Sequence, residues 1–219
     1  MTVELNKQLM PTNTQRHFQD KYPDAPKAQH TRSAIIDGVI EAISTEGLEH
    51  TTVKHIIENA GITQDTFFNH YDTLDEAIYA TASTVSAEIG YIIRDGRVQN
   101  VPADEKIVRD NFLFMTIATQ VPAWGKLMIA ALVPLDGIAD ISLDDFRNTL
   151  MDGEKSGIFK TPINPLVMLQ IATLANLTIR LNIENKGMEF AIPETNKAVL
   201  RLLGHTNEQA EQVVSKVLG

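Results

Sequence analysis

The sequence predicts an all-α protein: a small N-terminal three-helix domain holding a helix-turn-helix, joined to a larger helical domain. Three observations carry this. Apolar residues beyond position 30 recur three and four apart, and no stretch reads as a strand. Helix stops and starts such as Gly47, Gly61, Pro122, Pro165 and Gly204 fall between those runs. The segment Thr51–Tyr71, TTVKHIIENAGITQDTFFNHY, reads as two short helices hinged at Gly61.

Residues 1–30 are polar, contain Pro11, Pro23 and Pro26, and lack a helical period, so a flexible arm is expected. Its bases Lys7, Arg16, Lys21 and Lys27 outnumber Glu4, Asp20 and Asp24. Two readings of residues 1–24 stay open: an arm that follows DNA phosphates or the minor groove, and a leader without contacts. Lys27 and Arg32, beside the first helix, are read as DNA contacts.

Thr31–Glu46 forms the first helix, burying Ile35, Ile36, Val39, Ile40 and Ile43 and ending at Gly47. The second begins with a threonine cap at Thr51 or Thr52 and buries Val53, Ile56, Ile57 and Ala60. Gly61 takes the positive φ of a helix stop, and Thr63 caps the third helix, where Phe67 and Tyr71 share one face. Thr73 opens a linking helix, residues 73–94, with Asp75 and Glu76 in its first turn.

From residue 95 onward the composition turns to long apolar helices: 103–121, then Pro122 to about Leu132, then one after Ser142 that ends near Gly157. Pro165 opens a helix to about Asn185 that is apolar on more sides than a surface helix should be. Helices 193–203 and 206–218 end the chain around a stop at Gly204.

At 219 residues and 43% hydrophobic content the chain can fill a core without staples. The absence of cysteine excludes disulfides, thiolate metal sites and cysteine nucleophiles. No signal-peptide pattern and no uninterrupted apolar stretch of membrane-spanning length is found, so a cytoplasmic protein is expected. The net charge of -9 does not by itself favour nucleic acid. Glu154-Lys155-Ser156 lacks the glycines of a phosphate loop, and the histidines show no metal-site spacing. Asn176-Leu177-Thr178 matches a glycosylation sequon by letter only. No enzyme, metal site or cofactor is therefore expected.

The threonine pair Thr51-Thr52, the corner Ala60-Gly61-Ile62-Thr63, Thr66-Phe67-Phe68 and His70-Tyr71, followed by Asp75 and Ile78, resemble the DNA-binding domain of the TetR/AcrR family of transcriptional regulators. The likeness runs from Arg32 to about Arg94, and VLRLLGHTNEQAEQVV extends it weakly into the C-terminal half. It implies a DNA-binding domain at 31–76, a ligand-binding and dimerisation domain at 95–219, and a homodimer through the 165–185 helix and the C-terminal helices. It also implies a near-palindromic operator and, most often in the family, a repressor released by a small effector.

Helix N-termini near Thr51, Thr52 and Thr63, together with their hydroxyls, can grip phosphates, or serve only as caps. Gln64 and Asn69 carry amides suited to an adenine edge. His70 matches a family position that often contacts backbone, and Phe68 can meet a thymine methyl. Lys54, Thr66 and Thr73 complete the expected contact set. Asp65 stands where the family has glycine and Leu74 where it has lysine; Asp65 can accept from a cytosine amino group. From residue 51 to 93 Lys54 is alone against Glu58, Asp65, Asp72, Asp75, Glu76 and Glu88, so weak phosphate affinity is expected.

An apolar or amphipathic effector is expected among Phe112, Met115, Thr116, Thr119, Trp124, Met128 and Asn176, each of which also suits ordinary core. Two functions stay open: a ligand-responsive DNA-binding regulator, and a dimeric ligand- or protein-binding module that no longer uses DNA.

Overall fold

The computed structural model describes residues 10–11, 16–95, 100–131, 144–184 and 191–219. Lys7, Glu4, Leu132, Ser142 and Asn185, invoked above, lie outside them. Every regular element among the described residues is a helix. They are α1 (His17–Lys21), α2 (Lys27–Thr45), α3 (Val53–Ala60), α4 (Gln64–Phe68), α5 (Leu74–Asp95) and α6 (Ala103–Gln120). After these come α7 (Pro122–Ala131), α8 (Asp144–Lys155), α9 (Pro165–Glu184), α10 (Ala191–Leu202) and α11 (Asn207–Leu218). A 3-10 turn, Leu48–His50, joins α2 to α3.

The architecture is the expected one, a helix-turn-helix head (α2–α4) carried by α5 on a larger helical body. Two boundaries move. α2 starts at Lys27 behind Pro26, one turn before the expected Thr31, because proline at a helix start gives up no needed N–H. α10 starts at Ala191 rather than Pro193, which sits harmlessly in its first turn.

The expected flexible arm is, in its described part, ordered. Phe18 of α1 is buried in the same apolar cluster as Ile35, Ile40, Ile56 and Phe67 of the head. That cluster runs without a break through Val85 and Ile89 of α5 to Leu113, Trp124 and Leu127 of α6 and α7. The head therefore shares its core with the near end of the body. A second cluster closes the far end, joining Ile107 and Leu150 to Val199, Leu203 and Val214. A third, of Met115, Ala118, Ala175, Ile179 and Ile192, lies between α6, α9 and α10.

Two glycines set close approaches. A Cβ on Gly38 would stand 2.8 Å from the Ile56 carbonyl oxygen and 3.0 Å from Ala60 Cβ, so α2 and α3 pack at backbone distance only because this side chain is absent. A Cβ on Gly125 would meet the Ala118 carbonyl oxygen and Ile183 Cδ1, each at 2.5 Å. There α6 and α7 meet at 114° around Val121-Pro122, and α9 lies across the bend.

α9 is long and apolar enough to cross a membrane by length and composition, but Gln170, Thr173, Asn176 and Arg180 interrupt it, so it is not the uninterrupted apolar stretch that the sequence is expected to lack. Here it packs on α6, α7 and α10. Its outward stripe, Leu166, Gln170, Thr173, Leu177, Arg180 and Glu184, stays exposed, with Leu166 at 62% and Leu177 at 53%.

Candidate nucleic-acid interface and effector core

The reading head is built by local signals. The Thr52 hydroxyl accepts from the His55 N–H at 3.3 Å, capping α3. α3 ends where Gly61 takes φ 64°, which lets the Ile62 N–H return to the Ile57 carbonyl at 3.2 Å. Thr63 then caps α4, accepting from the Thr66 N–H at 3.2 Å while the two hydroxyls lie 2.8 Å apart. Helical hydrogen bonding continues past Phe68 through Asn69 and His70 to Tyr71, whose N–H reaches the Phe67 carbonyl at 3.0 Å. Phe67 and Tyr71 are both buried, with ring centroids 6.0 Å apart.

This backing pushes Gln64, Asp65, Phe68 and Asn69 outward, with Phe68 43% exposed despite its ring. Thr66 and His70 are half-buried at the flanks. The next turn is fixed by a reciprocal cap: the Glu76 N–H bonds the Thr73 hydroxyl at 3.1 Å, and the Asp72 N–H bonds the Glu76 carboxylate at 2.7 Å. Thr73 is exposed, its hydroxyl already accepting. Lys27 and Arg32 are exposed along the start of α2. Arg32 also lies near the Tyr71 phenol, whose ionisation is pushed up by burial and partly held back by that guanidinium.

Thr51 is placed elsewhere. It is 5% exposed, and its hydroxyl donates to the Gly47 carbonyl at 2.8 Å. Its hydroxyl hydrogen is spent on closing the 3-10 turn, and the buried side chain is not presented on the surface.

The charge of the front also differs from the count by sequence. Lys54 pairs with Glu58 at 3.8 Å across one turn, an exposed pair of little energy. Glu58, Asp65, Asp72, Asp75 and Glu76 are exposed. Glu88 is buried, hydrogen-bonded to His17 at 3.2 Å and to Lys21. Burial raises its carboxyl, but those bonds and the adjacent charges more than cancel the rise and hold it below its ordinary range. It adds nothing to the negative charge of that exposed face.

The expected effector residues divide between two clusters. Met115 packs with α9 and α10 residues. Trp124 and Met128 belong to the cluster shared with the head, and Phe112 touches both clusters. The Trp124 ring lies 5.5 Å from His17 and 6.4 Å from Phe18, centroid to centroid, so it faces α1. Thr119 donates its hydroxyl to the Met115 carbonyl at 2.7 Å, and Thr116 is half-buried. Buried polar atoms that find no partner among the described residues include Asn111 Nδ2, Trp124 Nε1 and Asn176 Oδ1. Asn111, on the buried face of α6 one turn before Met115, escaped the sequence reading, which weighted apolar runs. A cavity of about 430 Å³ opens between α1, α2 and α3, lined by Arg16, Gln19, Glu41, Glu58, Asn59, Ala60 and Gly61.

No protein-family model matches the sequence, and no curated protein sequence does. Among solved structures the chain is similar to RolR in complex with resorcinol, at 18% identity and a TM-score of 0.74 over 88% of this chain and 97% of that one. It is similar to RolR without ligand at 17% identity and a TM-score of 0.69, over 84% and 96% of the two chains. It is also similar to a TetR family transcription regulator from Marinobacter aquaeolei VT8, at 16% identity and a TM-score of 0.60 over 78% and 94%. At these identities the likeness establishes the architecture: this chain has the fold of the TetR-type transcription regulators, a helix-turn-helix head on a helical body.

Proposed function

We propose that the protein is a ligand-responsive transcription regulator that binds a near-palindromic operator as a homodimer. The observation that carries this is the front of α4. Gln64, Asp65, Phe68 and Asn69 stand outward from a short helix whose other side is locked by Phe67 and Tyr71. A rigidly backed helix with paired amides on its free face has the form needed to enter a major groove. Phosphate grip falls to Lys27, Arg32, Lys54 and the capped helix starts at Thr52 and Thr63.

Two copies associate through the outward stripe of α9, where Leu166 and Leu177 lie uncovered, supported by α10 and α11. The effector is small and apolar or amphipathic, and binds among Phe112, Met115, Thr116, Thr119, Met128 and Asn176. Resorcinol, bound by one structurally similar protein, is the first compound to try. The regulator is a repressor in this reading: effector binding favours a head spacing that no longer fits the operator. DNA must then lower effector affinity by the same factor.

The acidic front favours a second reading, a dimeric ligand- or protein-binding module that has lost DNA binding. Arg32→Ala and Asn69→Ala separate the two when titrated against upstream DNA and random duplex. For the regulator, Arg32→Ala weakens both DNAs alike, while Asn69→Ala relaxes preference at one base position by about 1–3 kcal/mol. Absence of saturable binding of wild type to either DNA at low salt would establish the second reading, and equal binding to both would refute sequence recognition.

A further inference from the structure

α1 touches the head, the linking helix and the near end of the body, alongside the direct packing of α2 on α5 and α7. It is only five residues long, too short to be stable alone, so its order comes from its partners. On the head side, the buried Asp37 of α2 accepts the Phe18 N–H at 3.0 Å, the Gln19 N–H at 2.9 Å and the Gln19 side-chain amide at 3.2 Å. On the linking helix, Glu88 takes His17 and Lys21, and the Lys21 ammonium sits 4.7 Å over the Tyr91 ring. On the body side, His17 meets the Trp124 ring of α7 edge-on, and the Phe18 ring lies tilted at 6.4 Å from it. Each tie crosses a boundary: α1 to α2, to α5 and to α7.

We infer that α1 is a clasp that reinforces the direct packing of the reading head on α5 and α7, and that its release loosens the head while leaving the body folded. The anchors have the chemistry of a two-position device. Asp37 and Glu88 are buried carboxylates whose hydrogen-bond partners include groups of α1, so an undocked α1 exposes both to water rather than leaving them half-satisfied. Phe18 is one side chain, and its removal from the cluster leaves the α2, α5 and α7 contacts with one another in place. A shift of α7 reaches α2 through the chain Trp124, His17, Phe18 and Asp37 as well as through the direct packing of the two helices. The inference does not rest on operator binding, because it concerns the free protein.

The test is regional hydrogen exchange on the full chain, with the single tryptophan as a second reporter. The double variant His17→Gln/Lys21→Gln cuts the ties to Glu88 at half-buried positions, and Phe18→Ala empties the anchor. Exchange in residues 53–68 is expected to rise about tenfold or more in both, with residues 191–218 unchanged and Trp124 emission shifted to the red. Lys197→Gln, which cuts a surface pair at the far end, should leave 53–68 unchanged. Red-shifted emission with unchanged exchange in 53–68 would overturn the clasp, since α1 would then only cover Trp124. Exchange rising equally throughout, or failure of both variants to fold, would overturn it too, making α1 a part of one indivisible core.

Discussion

The head and α9 solve opposite problems with helices. α3 and α4 are short, bury a few large side chains such as Ile56 and Phe67 completely, and leave an outer side that is polar throughout except for Phe68. α9 is long and apolar, yet in its most apolar window only 28% is buried, and it leaves leucines in the open. A polar front on a rigid backing suits a polar partner read by hydrogen bonds. A leucine-bearing stripe suits a surface that removes it from water. The proposed DNA and dimer faces rest on this difference, and it can be broken from either side.

The largest effect is expected from Phe67→Ala, which empties a fully buried ring behind α4. It should cost about 3–5 kcal/mol in thermal or denaturant unfolding and abolish DNA binding, because the front loses its backing. Gly38→Ala comes next. Its added Cβ must push α3 off α2, at about 1–3 kcal/mol, and an unchanged unfolding midpoint would mean that the two helices do not need that approach.

Leu177→Lys tests the other side. Sedimentation should show a loss of dimer, with the stability of the protomer changed by no more than about 0.5 kcal/mol. A large loss of protomer stability would place Leu177 inside a chain core instead.

The smallest effect is read on acidification. Glu88 is held below its ordinary 4.5, so its stabilisation is fully present above that pH and is lost as pH falls through the folded value. Asp37 has the opposite sign. Burial, outweighing its hydrogen bonds, raises it above 3.8, so its contribution is present below 3.8 and lost as pH rises through the folded value. Glu88→Gln should therefore flatten the fall of stability below pH 4.5, whereas an unchanged acid limb would mean that its partners do not hold it.

Much of this was readable in the residues because the signals are local. Thr52, Gly61 and Thr63 set caps and a corner within three or four positions, and Phe67 and Tyr71 mark a buried face by spacing alone. The helix order of the body followed from the same periodicity. What could not be read depends on distant partners. No period exists in the five residues of α1, whose order comes from Asp37, Glu88 and Trp124. Gly38 has the form of any helix-interior glycine until α3 is laid on it. Thr51 and Thr52 are alike in sequence, and only the 3-10 turn decides that one is spent on Gly47 and the other caps α3. Trp124 sits in an apolar run that fits either cluster, and the bend between α6 and α7 turns it toward α1.

The most direct test of the account is the salt dependence of binding to the chain's own upstream DNA. With Lys27, Arg32 and Lys54 as the bases on each head, a dimer should show saturable, sequence-preferring binding. Its log–log salt slope should be no steeper than about -5. Absence of saturable, sequence-preferring binding even at low salt would contradict it.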